Sequence, residues 1–145
     1  MNDRFRFRAK RVDNNKFVYG YLCFIYIDNE KHCRVYSLDD AMSYDCYTKS
    51  LGQCVGLKDK NGRLIYEGDV ITVDSSTINI NDTKAIVFFD EYEASFNLQW
   101  LPKGNGANAL KRIKKLSKHG LGDTRWWEVE VIGNIHENPE LLEDK

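Results

Sequence analysis

Proline is almost missing from this chain of 145 residues, which has only Pro102 and Pro139. Its scarcity leaves long stretches free to pair as strands, because proline is the residue a paired strand tolerates least. Histidine is as sparse: His32 adjoins Cys33 and so faces the other way in a strand, while His119 and His136 have no spacing partner. Cys23, Cys33, Cys46 and Cys54 contain no CxxC pair. A structural zinc site is therefore not expected, and these read as free thiols of a reducing compartment. The N-terminus lacks the apolar core of a signal peptide, which makes the expected location the cytoplasm of a bacterial host. No run approaches the roughly 18 apolar residues of a membrane span.

Catalytic and phosphate-binding patterns are missing as well. Gly56, Gly62 and Gly68 recur at six-residue intervals, without the GxGxxG or Gly-Lys-Ser arrangement of a phosphate loop. No Gly-x-Ser-x-Gly elbow is present. Asp39, Asp40 and Asp45 together with Glu67 or Asp69 are the carboxylates from which a divalent-cation site would have to be built. A metal-dependent nuclease is thus the enzymatic alternative, and the expectation is no enzyme, no catalytic residue, no metal and no cofactor.

What the chain has is strand-forming sequence, with 42% apolar and 12% aromatic residues. Phe5, Phe7 and Ala9 alternate with Arg4, Arg6, Arg8 and Lys10, the pattern of a half-buried first strand. Residues 17–27 are apolar or aromatic on both faces, so this strand is either covered twice or lies at an interface. Residues 28–31 turn the chain and 32–38 pair back as a hairpin. Residues 39–52 read as a polar connection with a short strand near Tyr47, and as the place where the single domain 1–145 would subdivide. Asn61-Gly62 is a hairpin signal between strands at 54–57 and 64–66. Further strands are expected at 70–73, 84–89 and 94–100, and a last one from Trp127 to about Ile135. Leu110, Ile113 and Leu116 fall three apart, which predicts one basic amphipathic helix over 107–118. Residues 138–142 suit a single helical turn. The expected class is mostly β with one amphipathic helix, in small SH3-like or partly open barrel elements, as one domain or as two β subdomains.

Net charge is only −1, yet the signs are segregated. Arg4, Arg6 and Arg8 lead the chain; Lys111, Arg112, Lys114, Lys115 and Lys118 cluster near residue 115; acids dominate from Glu128 onward. Two outcomes are open: the arginines face Glu128 and Glu130 across neighbouring strands, or they join the later cluster as one polyanion-binding surface.

The block from Gly56 to Val70, GLKDKNGRLIYEGDV, resembles the signature of the YopX family, as does the ending EVIGNIHENPELL from Glu130 to Leu142. Phe7-Arg8-Ala9 is similar to that family's opening. Cys54 and Val55 stand where the family usually has an aromatic residue and Thr, and His136 where it often has Tyr. The resemblance implies a protein of bacteriophages or prophages with a mostly β fold containing a small barrel-like part. It implies no defined activity and transfers no catalytic residue.

Two binding classes follow from the residues. In the favoured one, the strand at 17–27 meets a second copy or a host or phage protein through Phe17, Tyr19, Tyr21, Phe24 and Tyr26, because a small domain has difficulty covering both faces of such a strand. In the alternative, the first strand and the basic helix bind nucleic acid, with Trp126 and tyrosines stacking on bases.

Overall fold

The computed structural model describes residues 3–73, 84–101, 113–117, 124–125 and 129–142. It divides into two compact units, Met1–Gly56 and Leu57–Lys145. Residues 39–52 lie within the first.

The first unit opens with a 3-10 turn, Asp3–Phe5, and runs through β1 (Phe7–Lys10), β2 (Phe17–Ile27), β3 (Glu30–Ser37) and β4 (Ser43–Asp45). A second 3-10 turn, Thr48–Ser50, leads into β5 (Gly52–Lys58), which carries the chain into the second unit. The strands lie in the order β4-β3-β2-β1-β5. β2 and β3 form a long antiparallel hairpin closed by Asp28 and Asn29, both at positive φ, 50° and 67°. Two such residues make the turn whose twist matches a hairpin, and Asn and Asp accept that backbone more readily than most residues. Ala9, Val18, Cys33, Val35 and Cys46 form the buried core of one sheet face, with Leu22, Tyr44 and Leu51 packed on it.

Gly20 shows how tightly this hairpin is closed. A β-carbon there would stand 1.7 Å from the Tyr36 carbonyl oxygen, so only glycine permits the approach.

The second unit contains β6 (Leu64–Tyr66), β7 (Asp69–Val73), β8 (Lys84–Asp90), β9 (Ser95–Trp100), β10 (Ile113–Ser117), β11 (Thr124–Arg125) and β12 (Val129–Asn134). Its sheet has the order β11-β10-β9-β8-β7-β12. Ile71, Ala85, Leu98 and Val129 are fully buried in it. Pro139–Leu142 makes the expected final helical turn, of 3-10 type.

The predicted helix is corrected over its described part. Ile113–Ser117 is a strand, antiparallel to β9, with Ile113 opposite Gln99 and Lys115 opposite Asn97. Three apolar residues at a spacing of three are a weak helix signal, and hydrogen bonds to β9 outweigh the weak propensity of an isolated helix. Residues 107–112 and Lys118 lie outside the described residues. Among those described, no helix is long and apolar enough to cross a membrane.

Candidate functional site

The arginines of the first strand do not form one row. Arg4 belongs to the 3-10 turn, which ends the strand alternation before Arg6. Arg6 sits 3.4 Å from Asp3 in an exposed ion pair. Arg8, opposite Tyr19, is only 2% exposed, and its guanidinium lies 4.9 Å from the centre of the Phe17 ring. A cation so placed gains the attraction of the aromatic quadrupole but is withdrawn from solvent phosphate. Lys10 Nζ also approaches Phe17, at 5.7 Å. Among the described residues the first and last long strands are not paired neighbours either: β1 pairs with β2 and β5, and β12 with β7. Glu130 instead meets Lys60 at 3.3 Å, and Glu128 lies outside the described residues. Of the later basic cluster, Lys114 and Lys115 fall in β10, while Lys111, Arg112 and Lys118 lie outside the described residues.

Three of the five acids considered for a metal, Asp40, Asp45 and Asp69, have local tasks. Asp40 accepts the Met42 amide at 3.0 Å and the Tyr44 hydroxyl. Asp45 takes Arg34 at 2.9 Å. Asp69 accepts the Tyr66 amide at 2.8 Å, shaping the turn between β6 and β7. Among the described residues, no group of three or more His, Cys, Asp or Glu gathers where an ion could be held. Asp59, inside the family-like block, is buried: one carboxylate oxygen takes the amides of Asn61 and Arg63, and the other that of Val131. Three amide donors fill much of the capacity of this carboxylate, which makes it a structural clamp.

The β2–β3 hairpin concentrates exposed apolar surface instead. Val18 is buried and Leu22 partly so, but further along the same face Phe24 is 43% and Tyr26 71% exposed. Tyr19 at 39%, Tyr36 at 44% and Ile27 at 43% lie on the opposite face. Phe17 and Tyr21 are half-buried. The five aromatic residues expected at an interface are thus split between the two faces, and the tip is apolar on both. The reason is length: β1 has four residues and β2 eleven. β1 begins opposite Gly20, so residues 22–27 run past it with β3 on one side, and 25–27 pair with 30–32 as a two-stranded tip beyond the reach of β4. Lys31 Nζ, 4.3 Å from the centre of the Phe24 ring, is the tip's cationic contact with an aromatic face.

The ribbon also carries an open edge. The Cys46 amide donates to the Cys33 carbonyl at 2.9 Å, so Cys33 directs its backbone toward β4. Its cross-strand neighbour Phe24 therefore directs its own amide and carbonyl away from β3, as do Leu22 and Tyr26 at period two. Among the described residues no strand pairs with 22–27 on that side. Sequence reasoning found the two-sided strand and missed this edge, whose extent depends on where β1 begins.

The family model for YopX protein matches residues 6–143. No curated protein matches the chain. The crystal structure of protein EF1440 from Enterococcus faecalis is similar over 95% of this chain and 97% of its own, with 20% sequence identity and a TM-score of 0.47.

Proposed function

The chain belongs to the YopX family of phage and prophage proteins, with its β-rich, SH3-like character, and from that premise we propose that it is a non-enzymatic accessory protein that works by binding another protein chain through the β2–β3 ribbon. The observation that carries this reading is the exposure of Phe24, Tyr26 and Ile27 at the end of one hairpin. Large apolar side chains clustered at a projecting tip favour removal from water, and roughly 25 cal/mol per Å² of apolar surface is available to a partner that covers them. The nucleic-acid reading has less support, because Arg8 is enclosed and Arg6 is already paired with Asp3.

A photoreactive phenylalanine analogue placed at Tyr26 tests it in bacteria expressing the full chain. The expected result is a defined protein adduct, either of the chain with itself or with one other protein, that disappears in Phe24→Lys. The same probe at Tyr92, a fully exposed tyrosine in a turn of the second unit, serves as reference. Equal, diffuse labelling from both positions contradicts the reading.

A further inference from the structure

We infer that the occupant of the ribbon's open edge is a second copy of this chain, joined by antiparallel pairing of β2 with β2 about a twofold axis. The inference rests on the protein-binding reading above and names its partner.

The edge is built without the usual protections. Exposed strand edges are normally blunted by a charge, a proline or a bulge. From Phe17 to Ile27 the sequence FVYGYLCFIYI has neither charge nor proline, and its pairing with β3 is continuous from Gly20 to Ile27. An axis beside Ile25 sets Phe24 opposite Tyr26 of the second copy. Both residues direct their backbone groups outward, so the two symmetric pairs exchange about four hydrogen bonds. Phe24 and Tyr26 also point to one face, where they pack against their counterparts across the junction.

Charge selects a second copy over an unrelated strand. In this register the turn of each copy, with Asp28 and Glu30, comes to the point where β1 of the other begins. Arg6 adjoins that point, since Phe7 is already opposite Gly20. An acidic turn at one end of β2 and Arg6 at the other are complementary only when the strands run antiparallel, as they do in a closed twofold pair. Arg6 now faces Asp3 at 3.4 Å on the surface, a contact weak enough to be exchanged.

Light scattering on the purified full chain tests the proposal. The expected mass is twice 16.9 kDa at micromolar concentration. Phe24→Pro removes an outward amide that β3 does not use, and the expected result is a monomer with unchanged circular dichroism. Should that variant unfold, the charges decide: Asp28→Arg and Arg6→Asp each weaken the dimer roughly tenfold, since each alters two symmetric contacts, and the double variant recovers most of the loss. A monomer at 100-fold higher concentration overturns the inference, and so does a dimer indifferent to these substitutions. If the wild type is monomeric while Tyr26 still crosslinks specifically to a different protein, the binding reading stands and the second copy is excluded.

Discussion

The Asp59 carboxylate accepts the Val131 amide at 3.0 Å, joining residues 72 positions apart. The bond ties together the two blocks that carry the family resemblance. Around it the Lys60 amide donates to the Val129 carbonyl at 2.9 Å, the Ile135 amide to Gly68 at 2.9 Å, and β7 pairs with β12. Gly133 belongs to the same assembly, because a β-carbon there would come within 2.6 Å of Asn138 Oδ1 and 2.7 Å of a Leu141 methyl. The paired blocks are thus a closure of the second unit, which accounts for their residue types without invoking a ligand. Asp59→Ala strands the Val131, Asn61 and Arg63 amides, and the expected loss is roughly 3 kcal/mol in urea unfolding. A change below about 0.5 kcal/mol contradicts this role.

Gly20→Ala is expected to open the hairpin of the first unit, since a β-carbon 1.7 Å from a carbonyl oxygen forces β2 and β3 apart. The expected destabilisation exceeds about 2 kcal/mol. An alanine variant with wild-type melting behaviour shows that the strands do not approach so closely.

Thiol reactivity reports the same core. Cys23 is exposed, whereas Cys33, Cys46 and Cys54 are buried. Burial raises the Cys33 thiol above its ordinary value and pushes Cys46 up to about 11, with a further push from Cys33 nearby. The reactive thiolate is therefore scarce at neutral pH. A disulfide reagent at pH 8 should modify one thiol quickly and three slowly, with the slow ones accelerated in Gly20→Ala. Four equally fast thiols contradict the buried core.

At the surface, the Tyr44 hydroxyl donates to Asp40 and holds that carboxyl below its usual value, while the Arg11 guanidinium lies 3.6 Å from the centre of the Tyr44 ring. A depressed carboxyl stabilises the fold above its unfolded-state pKa, and the contribution disappears as pH falls through the lower folded-state value. Tyr44→Phe should move the Asp40 titration upward, as followed by NMR of its side-chain carboxyl. An unchanged titration removes the bond from the account.

Much of the strand pattern was legible because period two is a strong signal. Residues 64–66 form β6 as expected, and the acidic turn after β8 is closed by Asp90 accepting the Tyr92 amide at 2.9 Å. Alternation failed for the arginines, because a 3-10 turn takes Arg4 out of the strand and because a strand pattern does not tell which face becomes covered. Arg8 is enclosed on the side that the alternating polar residues suggested was open. At Ile113–Ser117, a spacing of three admitted a helix where β9 supplied a pairing partner. The apolar character of β2 was plain in its residues. The edge open beyond Gly20 was not, because it follows from the unequal lengths of β1 and β2.

Hydrogen exchange of single amides tests that edge most directly. The amides of Leu22, Phe24 and Tyr26 point away from β3, whereas those of Cys23, Ile25 and Ile27 point toward it. In the dimer both sets are protected at high protein concentration, and dilution to the monomer should release the even-numbered set alone. Fast exchange of Leu22, Phe24 and Tyr26 at every concentration would contradict strand pairing at this edge.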